Sequence, residues 1–265
     1  MEHLNRRSGA FWAGWLVVLI GLVGTGCSGP GGGGRREGFG RVITPEPPGF
    51  LTGPAALLLT NWASFSARLE VQTTSSSPGA NNSSGQLLGQ GSKLLYAPHT
   101  DENPDAPRPR VGGYSFIWDV AQSRGYVLSE TLQGYAPVAA ELHVTNLQIA
   151  PGGGPAQRYS GHPCEPANAT VQTADSTVGF ELLRATDLHG FPVKIQMLAK
   201  ANPLTLSFSN VRFENVAANV FAPPEGFTQY PSPQAMADEL AARENNLRRR
   251  SSPRGPPVQE LERHY

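Results

Sequence analysis

The chain has 265 residues, with 21 basic side chains against 21 acidic ones, so its formal charge is zero. Charged residues make up 16%, below the roughly 25% of ordinary soluble domains, while 30 glycines and 24 prolines exceed average usage. Three lysines in a neutral chain leave no basic footprint for nucleic acid, and two cysteines exclude a disulfide scaffold and a Cys-rich zinc module. No run reaches the roughly 18 apolar residues of a membrane span.

At the N-terminus, Arg6 and Arg7 precede a run of 13 residues, Phe11 to Val23, dominated by apolar side chains. That length fits the apolar region of a secretory signal, roughly 7–15 residues. Small residues follow (Gly24, Thr25, Gly26), then Cys27. A short core helix is the alternative, but the Ser28-Gly29-Pro30-Gly31 stretch that comes next cannot pack. The order basic, apolar, small, Cys resembles a bacterial lipoprotein signal over residues 1–26, with Gly24 where that pattern favours a branched aliphatic. The resemblance implies cleavage before Cys27 and acylation of Cys27, such as by palmitate. More than one chain, at about 0.8 kcal/mol per buried methylene, makes a permanent membrane anchor. Residues 27–52 then read as the lipidated cysteine and a flexible Gly/Pro tether. No Gly-Lys-Ser/Thr ending follows the glycines, so they are not a phosphate loop. Ser28, rather than Asp, resembles the outer-membrane sorting pattern, which implies an envelope lipoprotein facing the periplasm.

Residues 53–231 read as the folded core. Pro54 to Trp62 is apolar around Leu57–Leu59 and allows one or two helical turns. It leads into Phe65, Ala67, Leu69 and Val71 alternating with Ser66, Arg68, Glu70 and Gln72, a clean period of two. Further strands are expected at Gln86–Tyr96, Tyr114–Val120, Arg124–Glu130, Glu141–Ile149, Ala169–Thr173, Val178–Arg184, Phe191–Ala199 and Leu204–Phe213. Alternation predicts an antiparallel sheet with one wet face. In the last strand the phase slips between Phe208 and Val211, which a bulge near Ser209-Asn210 explains. Ser232-Pro233 reads as an N-cap with proline in the first turn, opening an exposed helix over 232–250. Met236, Leu240 and Leu247 are its only large apolar residues, so a solvated, loosely docked helix is expected. Residues 251–265 read as a disordered tail.

Three segments of the core resemble the Lol lipoprotein-localisation superfamily. The first is the apolar turn running into a strand through Trp62-Ala-Ser-Phe-Ser-Ala-Arg-Leu-Glu-Val. The second is Tyr159-Ser-Gly-His-Pro-Cys164, followed by Val178-Gly-Phe-Glu-Leu and Gly190-Phe-Pro-Val-Lys-Ile. The third is Leu206-Ser-Phe-Ser-Asn-Val-Arg-Phe-Glu-Asn-Val leading to Val220-Phe-Ala-Pro-Pro-Glu-Gly-Phe227. The resemblance implies a mainly β, α+β domain like LolA and LolB: a strongly curved antiparallel sheet, an incomplete barrel, over a few helices with an apolar cavity. It also implies a lipid or lipopeptide ligand. Phe116, Trp118, Phe191, Ile195, Leu206 and Phe208 are the inward candidates for that cavity, and the same alternation would serve a packed core.

Catalytic signatures are missing: neither Gly-x-Ser-x-Gly nor His-Glu-x-x-His occurs. His162-Pro163-Cys164 with Asp187 and His189 groups metal-ligand residue types, but reads better as a polar loop, with Cys164 buried and inert. No enzyme activity, metal or cofactor is expected, and no nucleic-acid partner. A monomer is expected, held to the membrane by Cys27. Two functions remain open at this point: binding a lipid or other hydrophobic ligand in the barrel, or a non-enzymatic scaffold or assembly role through protein contacts.

Overall fold

In a computed structural model the described residues are 43–73, 82–99, 113–140, 144–174, 176–199 and 203–251. The signal, Cys27, most of the tether and the tail after 251 lie outside them. Among the described residues no helix is long and apolar enough to cross a membrane.

One sheet holds the strands β1 (Phe65–Thr73), β2 (Asn82–Gln90), β3 (Lys93–Pro98), β4 (Tyr114–Asp119), β5 (Arg124–Ser129), β6 (Gly134–Ala139) and β7 (Val144–Pro151). It continues with β8 (Gln157–Tyr159), β9 (His162–Thr173), β10 (Thr177–Ala185), β11 (Phe191–Met197), β12 (Leu204–Arg212) and β13 (Thr228–Gln229). Their order is β13-β6-β5-β4-β3-β2-β1-β12-β11-β10-β9-β7, with β8 paired to β9. All pairs are antiparallel except β13 with β6. The path ends at β13 and β7, which do not pair, so the curved sheet is the incomplete barrel expected.

The alternation expected of the sequence fills the concave face. Ala67, Leu87, Tyr96, Phe116, Val127 and Ala136 stand opposite one another across β1 to β6, all buried. A second row runs Phe65, Gly89, Leu94, Trp118, Gly125, Val138, with the large rings beside the glycines. A Cβ on Gly89 would lie 2.2 Å from the Phe65 ring, so glycine is what lets that ring lie across the sheet. On the other half, Val71, Leu206, Ile195, Leu182 and Ala167 form the matching row. Over this face lie a short helix α1 (Gly49–Thr52), a 3-10 turn (Pro54–Leu59) and the start of helix α2 (Pro233–Ser251). Phe50, Leu51, Leu58, Leu59, Met236 and Leu240 join the sheet residues in one buried cluster.

Several boundaries differ from expectation. Gln86–Tyr96 is a hairpin of two strands, turning at Gly91-Ser92, where Gly91 takes φ +58°. The strands β6, β8 and β13 and the first half of β9 carry too much proline, glycine and polar side chain to show a period of two. The bulge falls where the phase slip put it: β12 spends an extra residue between Ser209 and Arg212, and Asn210 takes φ +52°. α2 starts as expected, with the Ser232 hydroxyl accepting from the Ala235 amide at 3.2 Å. It is not loosely docked, because Met236, Ala237 and Leu240 are buried and only Leu247, 63% exposed, stays in water. The core also reaches back to Phe50 and Leu51, inside the stretch read as tether.

Candidate functional site

The six inward candidates are packed. Phe116 is 7% exposed, Trp118 and Ile195 are 1%, and Phe191, Leu206 and Phe208 are fully buried in the single cluster of the concave face. Phe191 sits at the centre of an aromatic group, with ring centroids 5.1 Å from Phe65, 5.2 Å from Trp62 and 5.6 Å from Phe208. The contacts to Phe65 and Phe208 are edge-to-face and that to Trp62 is tilted; aromatic pairs of this kind stabilise by about 0.5–1.5 kcal/mol each beyond burial. At five of the six positions the apolar face is core.

Trp118 is the exception. It reaches the wall of a cavity of about 380 Å³ at the end of the concave face. The approach to α1 supplies Thr44, Pro45, Glu46 and Pro47, the end of β6 supplies Pro137 to Ala140, and α2 supplies Pro233. Each element arrives there for a local reason. Prolines hold residues 45–48 extended before α1. Pro137 lacks an N–H and stands in β6 beyond the two residues paired by β13, where the strand has an open edge. Pro233 sits in the first turn of α2, where a missing N–H costs nothing. The mouth is therefore shaped by proline backbone and floored by Val138 and Trp118. Of its residues the sequence pointed only to Trp118; the prolines carry the signal for the rest, as rigid backbone that cannot fold into the sheet.

The polar loop separates in space. His162 Nδ1 and an Asp187 carboxylate oxygen lie 2.9 Å apart at the surface, while His189 turns away to meet the Phe213 ring at 5.6 Å. Cys164 is 1% exposed and its thiol points to the His162 carbonyl at 3.4 Å. Burial pushes the Cys164 thiol above its ordinary pKa, opposed by the backbone near Tyr159 and aided by the charge of Asp187. Such a thiol is a poor nucleophile. Among the described residues no three His, Cys, Asp or Glu side chains gather as metal ligands would.

No family model matches the chain, and no curated protein matches it. Similar solved structures include an uncharacterized conserved protein from Thermus thermophilus, at 6% identity and TM-score 0.40 over 67% of this chain and 95% of that one. A LolA superfamily protein from Nitrosomonas europaea is similar at 11% identity and TM-score 0.35, over 63% and 94%. The Mycobacterium tuberculosis lipoprotein LppX follows at 14% and 0.33, over 62% and 96%. Scores this low add nothing to the strand order, on which the fold class stands.

Proposed function

We propose that the chain is a bacterial envelope lipoprotein, anchored through Cys27 in the outer membrane and facing the periplasm, that binds a lipid or other hydrophobic ligand. The observation that carries this reading is the mouth beside Trp118: an opening of about 380 Å³ at the end of an otherwise filled concave face. Ligand sites run from about 300 to 1,000 Å³, so the mouth suits one acyl chain and not a folded lipid with several. The reading is of binding alone; among the described residues that line the mouth, Glu46 is the one ionisable group. The site moves outward relative to the sequence reading, from the strand interiors to the rim.

A scaffold or assembly role through protein contacts is the second reading, and the burial of Phe191, Ile195, Leu206 and Phe208 favours it. Titration with a fluorescent polyene fatty acid separates the two. After cleavage before Cys27, Trp62 and Trp118 are the chain's tryptophans. Saturable energy transfer that largely disappears in Trp118→Phe supports binding at the mouth. Absence of transfer in the parent leaves the scaffold.

A further inference from the structure

The convex face of the same strands carries a larger cavity, of about 640 Å³, bounded by the ends of β3 to β6 and by the strap Phe221-Ala222-Pro223. Two rows of side chains build it. The first is Lys93, Asp119, Arg124 and Ala139, directly opposite one another on β3, β4, β5 and β6. The second, one step up the strands, is Ile117, Tyr126 and Pro137. Ile117 packs with Leu128, Val216 and Phe221 in a small buried cluster separate from the main core, so the strap is held down at one end. The Tyr126 ring is fixed edge-on to Tyr135 at 5.6 Å.

The charges at the end of this cavity, on Lys93, Asp119 and Arg124, leave one positive charge in excess. One carboxylate oxygen of Asp119 accepts from the Ser92 hydroxyl at 2.9 Å, the Ala121 amide at 3.1 Å and the Gln122 amide at 3.3 Å. That oxygen is thus engaged in closing its own turn. Arg124 Nε donates to Gln122 Oε1 at 2.6 Å, and both residues line the cavity. Among the described residues neither Lys93 nor Arg124 has an ion-pair partner. An apolar trough thus ends in an ammonium and a guanidinium, neither ion-paired to the Asp119 carboxylate between them, a rim of net positive charge that suits an oxyanion on an apolar tail.

We propose that this convex trough is a second binding site, for a single-tailed amphipathic anion: tail along Ile117, Tyr126, Pro137 and Phe221, head against Lys93 and Arg124. The head is a carboxylate or a phosphate, from a free fatty acid or from a lysophospholipid. The site shares Pro137, Val138 and Ala139 of β6 with the mouth beside Trp118, but Lys93, Arg124 and the strap belong to the trough alone and Trp118 to the mouth alone. Lys93 and Arg124 are solvent-exposed, so their replacement leaves the fold intact.

Calorimetric titration of the full chain with oleate, with lysophosphatidate and with uncharged monoolein tests the proposal, in the parent, in Lys93→Gln/Arg124→Gln and in Trp118→Phe. Expected is a class of sites for the anions, kept in Trp118→Phe and weakened about tenfold or more by the double charge removal, with monoolein unaffected by that change. The tighter of the two anions identifies the head group. Equal anion binding by the parent and the double variant overturns the proposal, as does monoolein binding to the trough as tightly as oleate. Loss confined to Trp118→Phe assigns all binding to the mouth and equally overturns it.

Discussion

Replacing Trp118 by alanine tests whether this half of the barrel is a core or a vessel. The indole is 1% exposed and stands between Leu94 and Gly125 across the sheet, with Val138 one strand further. Aromatic side chains bury roughly 150–250 Å², and at about 25 cal/mol per Å² the apolar loss alone is several kcal/mol. Collapse into the hole is limited, because Gly125 has no side chain to move and its position is fixed by backbone: a Cβ there would meet the Ile117 carbonyl at 1.9 Å. One face of the ring already borders the mouth, which lowers the figure. The expected cost is therefore about 3–5 kcal/mol, as for large aromatic truncations in cores. At roughly 2–4 °C per kcal/mol for a domain of this size, the melting midpoint falls by about 6–20 °C. Thermal melts followed by far-UV circular dichroism read this directly. A loss below about 1 kcal/mol, with an unchanged β spectrum, refutes the packed account of Trp118.

Gly89→Val pushes into the Phe65 ring, which lies within 2.2 Å of the added carbon, and is expected to cost about 1–3 kcal/mol by urea unfolding. Met236→Ala, fully buried, should cost about 2–5 kcal/mol, whereas Leu247→Ala on the same helix should stay within about 0.5 kcal/mol. Equal small effects at both positions would mean that α2 is not docked. Cys164 should resist maleimide labelling at neutral pH until the protein unfolds. Because burial raises its folded pKa, the thiol's contribution to stability is complete below the ordinary thiol range. It is lost as pH rises, where the unfolded chain releases a proton that the native one keeps. A Cys164→Ala variant should flatten that alkaline decline. Cys27→Ala should move the protein from the membrane fraction to the soluble periplasm and abolish labelling by a radioactive fatty acid; persistent labelling contradicts the anchor.

Strands with one wet face were legible in the sequence, since Phe65 to Val71 and Phe191 to Ile195 alternate without interruption. The bulge at Asn210 was legible too, because a slipped phase has few other causes. β6 was not: Gly134-Tyr-Ala-Pro-Val-Ala offers one bulky apolar residue to the core side, and its proline argues against a strand unless the strand lies at an edge. The docking of α2 was underread because two large residues, Met236 and Leu240, with Ala237, suffice when the concave face presents a ready surface. Core and cavity share one alternation, so no pattern could tell Phe208, fully buried, from Trp118 at the mouth. The rows Lys93-Asp119-Arg124 and Ile117-Tyr126-Pro137 exist only once the register of four strands is known.

The central claim is that this domain holds an acyl ligand. Native mass spectrometry of the Cys27→Ala protein, free of covalent acyl chains and purified from the soluble periplasm, tests it most directly. The account predicts mass additions of one single-chain lipid, displaced by added oleate. A bare polypeptide mass that gains nothing from excess oleate or lysophospholipid would contradict it.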